Sequence, residues 1–184
     1  MVEKVDVELS RCRGFLYPRN TVLVTCVGKD GKPNIITCED SMPTSYQPPM
    51  VAVCISSKRY SYRLIIESGE FVINIPTIDI VKEVLTCGRT SGQDIDKFKM
   101  ARLTPIPAQL VRAPLIKECI AHLECKLSQQ LETGDHTIFV GNVIKASADQ
   151  GVFTEVFDLK KVKPVLHIGG DTFTTTTKTI VPKI

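Results

Sequence analysis

The hydrophobic and polar positions along the chain predict a mainly β fold that begins as a β-meander. Residues 21–28 read Thr-Val-Leu-Val-Thr-Cys-Val-Gly, and residues 34–38 form a second run rich in β-branched side chains. The Asp-Gly pair at 30–31 separates the two runs, and such a pair tolerates the positive φ angles of a tight hairpin turn. A polar loop over residues 39–47 then leads into a third predicted strand over residues 50–55.

Two short helices are predicted in the middle of the chain, on either side of a strand over residues 70–75. Ser61 is predicted to cap the first helix at its N-terminus, and Gly69 is placed to end it. Asp79 is predicted to cap the second helix, which ends before Gly88. These helices interrupt the β-meander without replacing it.

The second half of the chain is predicted to return to β structure after a loop over residues 90–102 with one helical turn near its middle. Apolar and polar side chains alternate over residues 122–127, which predicts a strand with one buried and one solvated face. His122 lies on the face predicted to be solvated. A turn at residues 132–135 leads into a strand over residues 137–144. Many strands with few helices indicate a single domain, a β-barrel with helical insertions.

Composition and cysteine usage favour a cytoplasmic protein without a membrane segment. The seven cysteines are odd in number and none has Cys-x-x-Cys spacing, which argues against a disulfide framework or a zinc site. No apolar run approaches the roughly 18 residues of a membrane helix, and no secretory signal opens the chain. The formal net charge is only +3, without a basic block beside aromatic residues, so no nucleic-acid partner is expected.

Two polar clusters carry side chains that suit a phosphorylated ligand. Ser56, Arg59 and Ser61 lie where a predicted strand ends and a helix begins, so hydroxyls, a guanidinium and free N–H groups converge there. Ser91 and Lys97 lie in a glycine-containing loop that lets backbone amides approach a ligand closely. Each cluster is also compatible with a capped helix or a surface loop, and both interpretations stay open.

A third stretch and two histidines are further candidates. Thr37, Cys38 and Glu39 leave the second predicted strand and can present backbone groups to the polar edge of a flat heterocycle; the alternative is a polar connection. His136 stands at the entrance of a strand, available for hydride or proton chemistry, and the alternative is a turn histidine without a catalytic role. His167 precedes two glycines, which suits close packing near the mouth of a pocket. No spacing of ligating side chains indicates a metal site.

In their order and spacing, these clusters resemble the flavin reductase-like FMN-binding proteins, especially the flavoredoxin branch. The resemblance extends from about Pro18 to about Phe173. The matching stretches are residues 30–34, 48–49, 59–62, 67–74, 88–98, 134–136 and 164–170. Each stretch is modest by itself, and their shared order makes the resemblance specific.

The resemblance implies a split β-barrel that binds FMN non-covalently and forms a homodimer with the flavin near the subunit interface. The cofactor-binding residues that it implies are Ser56, Arg59, Ser61, Ser91 and Lys97 around the phosphate and Thr37, Cys38 and Glu39 along the isoalloxazine edge. It places His136 at the open flavin face, as the candidate catalytic residue. The chain departs from its relatives at residues 38–41, where Glu39 and Asp40 would make reduced flavin less favourable if they point at the ring.

The function that the resemblance implies is an FMN-dependent oxidoreductase, with electrons passing from NAD(P)H to flavin, ferric iron or a redox protein. The chain lacks a Gly-x-Gly-x-x-Gly fingerprint, so NAD(P)H is expected to bind only transiently as a co-substrate. The alternative is an electron carrier of the flavoredoxin type, reduced by a protein partner and with little NAD(P)H activity. A third hypothesis is a non-enzymatic barrel that holds another ligand, such as haem or nucleic acid.

Overall fold

The structure, a computed structural model, describes residues 2–180 and is mainly β with short helices, which confirms the predicted class. Residue 1 and residues 181–184 belong to the predicted domain and lie outside the described residues. The strands are β1 (Arg19–Asn20), β2 (Val22–Val27), β3 (Pro33–Cys38), β4 (Ser41–Tyr46), β5 (Pro49–Ser56), β6 (Glu70–Ile75), β7 (Pro105–Ile106), β8 (Leu115–Ile116), β9 (Ala121–Thr133), β10 (His136–Ala148), β11 (Val165–Gly169) and β12 (Thr172–Thr175). The helices are α1 (Tyr60–Ser68), α2 (Val81–Arg89) and α3 (Lys97–Met100), with 3₁₀ segments at Leu9–Leu16 and Ile78–Ile80.

The main sheet has the strand order β3-β2-β6-β9-β10-β5-β4 and curls into an incompletely closed barrel. Strands β3 and β4 follow each other in sequence and yet lie at opposite edges of this sheet. Only Glu39 and Asp40 join them, so the two edges must come together at this point. The amide of Cys54 in β5 donates a hydrogen bond of 2.9 Å to the carbonyl of Asp40, which fixes the connection to the far edge.

Strand β2 is buried on both faces because each face has its own packing partner. Val22 and Val24 point into the barrel, where they join the cluster that contains Phe71 and Phe139. Leu23 points outward into a second cluster, formed with side chains of α2 and α3. A strand covered on both sides needs apolar residues at every position, which explains the continuous run that identified it in the sequence.

A smaller sheet with the order β1-β11-β12 packs beside the point where the barrel edges meet. In this sheet Arg19 of β1 lies directly opposite His167 of β11. The amide of Thr21 donates a hydrogen bond of 3.0 Å to the carbonyl of Val165, which continues the pairing beyond β1. The small sheet therefore brings residues from both ends of the chain to the end of β3.

The polar loop predicted over residues 39–47 was wrong, because most of it is strand β4. This strand pairs antiparallel with β5, with Ser41 opposite Val53 and Tyr46 opposite Pro49. As an edge strand, β4 has one unpaired side and exposes much of its surface, so it shows no hydrophobic pattern. Pro43 in its middle is tolerated because an edge position leaves one backbone side without a ladder partner.

The solvated face predicted for strand β9 was wrong at His122 and Glu124, which are buried beneath the segment around β7 and β8, and right at Lys126, which is exposed. The Glu124 carboxylate accepts hydrogen bonds from the amides of Gln109, at 3.1 Å, and Leu110, at 2.6 Å. His122 is buried, and its Nδ1 lies 2.9 Å from Oδ1 of Asn74. Burial lowers the pKa of His122. These polar residues are inside because specific hydrogen bonds receive them there.

The helix boundaries differ from the prediction at three residues. Arg59 is the N-cap of α1, so Ser61 lies inside the first turn and is buried. Gly69 ends α1 in the left-handed conformation with φ 67°, as predicted. Asp79 lies in a 3₁₀ turn before α2, and Gly88 lies within α2, not after it. None of the helices in residues 2–180 is long and apolar enough to cross a membrane.

Candidate functional site

A cavity of about 370 Å³ opens where Glu39 and Asp40 join the two edges of the barrel; we call it the main cavity. Its walls come from the ends of β3 and β5, the start of β10, helix α2 and the turn between β11 and β12. Six of the nine predicted cofactor-binding and catalytic residues line it: Thr37, Cys38, Glu39, Ser56, Arg59 and His136. The curling of the sheet brings these residues together, although they span about a hundred positions of the chain.

A second, smaller cavity of about 150 Å³ adjoins the main cavity and shares Thr37 and Arg59 with it. It contains the three remaining predicted residues, Ser61, Ser91 and Lys97. The cationic side chains that line this smaller cavity are Lys58, Arg59 and Lys97, and no carboxylate of residues 2–180 lines it. A recess with this charge and several hydroxyl groups suits an anionic group such as a phosphate.

Lys97 reaches the smaller cavity from a buried position at the start of α3, the helical turn predicted near the middle of the 90–102 loop. Asp96 caps this turn by accepting a hydrogen bond of 3.2 Å from the amide of Lys99. The Lys97 Nζ donates to the carbonyls of Ile35, at 2.8 Å, and Cys87, at 2.7 Å. Burial lowers the pKa of this ammonium. Because an ammonium has three donors, one remains for a ligand.

Ser61 and Asn34 form the floor of the smaller cavity. Nδ2 of Asn34 donates a hydrogen bond of 2.7 Å to Oγ of Ser61, which leaves the Ser61 hydroxyl hydrogen free to donate elsewhere. Oδ1 of Asn34 is buried and has no hydrogen-bond partner among residues 2–180. A Cβ atom at Gly92 would lie only 1.9 Å from this oxygen, so only a glycine fits there. Ser91, beside it, is exposed.

The wall between the two cavities is built by contact of β3 with α2. Oγ1 of Thr37 donates a hydrogen bond of 2.6 Å to the carbonyl of Val84. A Cβ atom at Gly88 would lie 3.3 Å from Cβ of Thr37, so the missing side chain lets the helix approach the strand. Cys38 follows Thr37 and is buried, and burial raises the pKa of its thiol. A protonated thiol is a poor nucleophile, so Cys38 acts as a packed side chain.

The two carboxylates after β3 contact side chains of the small sheet. Arg19 contacts both of them, with Nη2 3.4 Å from Oε1 of Glu39 and Nη1 in a shorter ion pair with Asp40. Nδ1 of His167 bonds to the other oxygen of Glu39. The sequence predicted that these carboxylates would disfavour reduced flavin if they faced the ring. In the structure Arg19 lies beside both carboxylates, and the His167 ring lies beside Glu39.

His136 begins β10 directly opposite Ser56 of β5, at the rim of the main cavity. Its Nδ1 lies 2.7 Å from Oδ1 of Asp135, and the side chain is 42% exposed. The hydrogen bond from His136 lowers the pKa of the Asp135 carboxyl. This contact fixes one ring nitrogen and leaves Nε2 free to reach a molecule that enters the cavity.

Sequence reasoning left three residues of the site unassigned: Arg19, Asn34 and His167. Asn34 gave a signal, since it is a polar residue at the start of an otherwise apolar strand. His167 was placed near a pocket mouth, and it does line the main cavity. Arg19 gave no signal in the sequence, because its partners Glu39 and His167 lie about 20 and 150 positions away in the chain.

Comparisons with known proteins identify the family to which the chain belongs. Residues 13–175 match the family described as flavin reductase like domain, and the chain belongs to this family. The structure is similar to flavoredoxin of Desulfovibrio vulgaris (Miyazaki F), at 29% identity and TM-score 0.86 over 99% of this chain and 97% of the other. It is also similar to flavoredoxin from Methanosarcina acetivorans, at 29% identity and TM-score 0.88 over 98% and 95%. The flavin reductase (NADH) of Kitasatospora aureofaciens is 32% identical over 127 residues, 69% of this chain and 64% of that protein.

These comparisons confirm the split β-barrel that the resemblance implied, and the residues of both cavities fit a flavin. Oγ1 of Thr21 in the main cavity and Oδ1 of Asn34 in the smaller one are buried without a hydrogen-bond partner in residues 2–180. Such atoms cost free energy unless something pairs with them, and a polyhydroxylated chain offers suitable donors. The volume of the main cavity lies within the roughly 300–1,000 Å³ of small-molecule sites.

Proposed function

We propose that this chain is an FMN-binding flavoprotein oxidoreductase that passes electrons from NAD(P)H to flavin, ferric iron or a redox protein. The observation that carries the proposal is the junction of the two cavities. Among the described residues, the smaller cavity has three cationic side chains and no lining carboxylate, and it adjoins a wider cavity with an exposed histidine at its rim. This pairing suits a ligand with a phosphate at one end and a flat ring system at the other.

In this proposal the smaller cavity holds the FMN phosphate. Arg59 at the N-cap of α1 donates from its guanidinium, and Ser61 donates the hydroxyl hydrogen that Asn34 leaves free. Lys97 donates its third ammonium N–H to the phosphate, and its hydrogen bonds to two backbone carbonyls keep the ammonium in place. Ser91, with Ser56 on the opposite side, completes the set of hydroxyls. A bound phosphate would thus meet donors already oriented for it.

The main cavity holds the ring system, along Thr37, Cys38 and Glu39, mainly through backbone atoms. Bound FMN supplies the redox chemistry, because it accepts two electrons as a hydride and releases them singly or together. The protein restricts water on the side of the barrel and leaves the side of His136 open. His136 is positioned to orient a nicotinamide or another electron partner there, since Asp135 holds its Nδ1.

A second candidate function is an electron carrier that is reduced by a protein partner and reacts poorly with NAD(P)H. The likeness to two flavoredoxins over nearly the whole chain favours it. The sequence has no Gly-x-Gly-x-x-Gly fingerprint, which agrees with a flavoprotein that has no dedicated binding site for NAD(P)H.

We further propose that the chain forms one flavin-binding domain, acts in the cytoplasm and assembles as a homodimer. The apolar side chains of the 3₁₀ segment support an assembly, because Phe15 is 72% and Leu16 69% exposed. Light scattering on the purified protein tests the dimer, and a monomeric mass over a range of concentrations would exclude it.

An anaerobic visible spectrum of the protein reconstituted with FMN, before and after addition of NADH or NADPH, tests the proposed function. Rapid bleaching of bound flavin by either nucleotide supports the reductase. Flavin that stays oxidised with both nucleotides and bleaches with dithionite supports the carrier. Free FMN that does not associate with the protein at all would refute both.

A further inference from the structure

We propose that His167 is held as an imidazolium between Glu39 and Gly170 and that its positive charge determines how strongly the main cavity binds reduced relative to oxidised flavin. The inference rests on the proposed function. It assigns a role to a residue that does not line the smaller cavity and that differs from His136, the candidate catalytic residue. It also explains how two carboxylates can stand beside a ring that becomes anionic on reduction.

The hydrogen bonds of the His167 ring require two protons. Nε2 lies 2.9 Å from the carbonyl oxygen of Gly170, which can only accept, so Nε2 carries a hydrogen. Nδ1 bonds to a carboxylate oxygen of Glu39. A neutral imidazole has one N–H, so it would turn a lone pair towards the carboxylate. The pair therefore holds an additional proton, and an imidazolium beside a carboxylate satisfies both contacts.

The surroundings of His167 keep the ring in this position. Its side chain is only 11% exposed. The Tyr17 ring packs edge-on at 5.3 Å between centroids, and the Phe173 ring lies at 5.2 Å. The ring is thus clamped between the segment before β1 and strand β12, and it cannot rotate away from Glu39 without losing this packing.

The cluster of Arg19, His167, Glu39 and Asp40 has no net charge only if His167 is itself charged. Arg19, its partner across the small sheet, contacts both Glu39 and Asp40. Asp171 lies in the turn after β11 and is already paired with Arg89 of α2. Two carboxylates therefore face one arginine. A protonated His167 supplies the second positive charge beside Glu39 and Asp40, and a neutral one leaves this cluster of four side chains with a net negative charge.

This charge matters because Glu39 and His167 both line the main cavity. A single charge within about 10 Å of another, at an effective dielectric constant of about 20, changes a binding equilibrium by roughly tenfold. Oxidised flavin is neutral at the ring and responds little. The reduced flavin ring carries a negative charge, so the net charge of the cluster around His167 affects the binding of reduced flavin selectively.

The protonation of His167 can be measured without flavin. The chain has three histidines, His122, His136 and His167, so single substitutions assign their ring-nitrogen signals in an NMR spectrum of the flavin-free protein. We expect both ring nitrogens of His167 to be protonated at pH 7 in the wild type and to lose a proton in Glu39→Gln. A neutral tautomer of His167 at pH 7 would overturn the proposal.

The effect on flavin is tested with His167→Gln and with the double variant His167→Gln/Glu39→Gln, each checked for folding by circular dichroism. The dissociation constants of oxidised and dithionite-reduced FMN are compared in each. In His167→Gln we expect reduced FMN to lose roughly tenfold in affinity relative to oxidised FMN, which lowers the potential of a two-electron couple by about 30 mV. In the double variant the missing cation and the missing carboxylate compensate, so the wild-type ratio returns.

A purely structural role of His167 gives a different result, because the double variant would then be at least as impaired as the single one and both oxidation states would weaken equally. That outcome overturns the proposal. If the wild type binds no FMN, the proposed function fails, and the flavin part of this proposal fails with it. The NMR measurement on the flavin-free protein separates that case, since it reports the charge of His167 directly.

Discussion

Nδ2 of Asn34 donates a hydrogen bond of 2.7 Å to Oγ of Ser61 and thereby ties strand β3 to the first turn of helix α1 beneath the smaller cavity. Both residues are 2% exposed. Ser61 does not cap its helix because it lies inside the first turn, with its hydroxyl oxygen bonded to Asn34. The bond also fixes the amide of Asn34, so that Oδ1 is directed at the backbone of Gly92.

We expect Gly92→Ala to destabilise the protein and to weaken FMN binding. The new Cβ would lie 1.9 Å from Oδ1 of Asn34, and relieving such an overlap in a packed site costs about 1–3 kcal/mol. Urea unfolding measures the loss. Gly14→Ala is the control, because no atom lies within 4 Å of a Cβ at Gly14. Equal unfolding midpoints for Gly92→Ala and the wild type would show that a Cβ at residue 92 does not overlap with Oδ1 of Asn34.

We expect Arg59→Ala to weaken FMN binding by about 1.5–3 kcal/mol, the range for hydrogen bonds to charged groups. Arg59 lines both cavities, and within residues 2–180 no carboxylate lines the smaller one to replace FMN as its partner. Titration calorimetry measures the change. Arg63→Ala is the matched control, since Arg63 lies one turn further along α1 and pairs with Glu67. Unchanged FMN affinity in Arg59→Ala would remove Arg59 from the site.

His136→Ala should bind FMN as the wild type does and yet be reduced more slowly by NADH or NADPH. His136 lies at the rim of the main cavity and away from the phosphate recess. A decrease of about 10²-fold is expected, the size of effect that a small misplacement of a reactant has on a rate. Anaerobic stopped-flow spectroscopy measures the reduction rate. Reduction at the wild-type rate would exclude a role of His136 in flavin reduction and favour the alternative, a turn histidine without a catalytic role.

The stability of the protein should depend on Glu70 at neutral pH and much less in acid. Glu70 is buried; burial alone would raise the pKa of its carboxyl, but bonds from Lys126 and Arg112 outweigh that effect and lower it. The folded state therefore binds the proton less readily than the unfolded chain does. The stabilisation is complete at pH values above the pKa of Glu in the unfolded chain, about 4.3. It is lost as the pH falls through the lowered pKa of Glu70 in the folded protein.

Glu70→Gln tests this dependence by urea unfolding between pH 3 and pH 7. The variant should be less stable by about 1–3 kcal/mol at pH 7, with a difference that shrinks towards pH 3. The exposed Glu67→Gln, on the preceding helix, should show almost no difference at either pH. A loss that is the same at pH 3 and pH 7 would mean that the Glu70 charge does not contribute to stability.

The prediction of the fold succeeded where a strand has apolar residues on a buried face and failed where burial depends on distant partners. Strand β2 was predicted because its neighbours on both sides demand apolar side chains. Strand β4 was missed because an edge strand without a buried face has no such pattern. The buried position of His122 was missed because its partner, Asn74, lies 48 residues away.

The sequence by itself determined the mainly β class, the hairpin at the start, Gly69 as the end of α1 and the residue types that a phosphorylated ring cofactor needs. These features follow from local backbone preferences and from periodicity, which neighbouring residues encode. Only the tertiary structure decided that Arg19 and His167 contact Glu39 and Asp40, because these residues meet through the packing of a separate sheet. Charge compensation depends on distances in space, and the closure of the barrel fixes those distances.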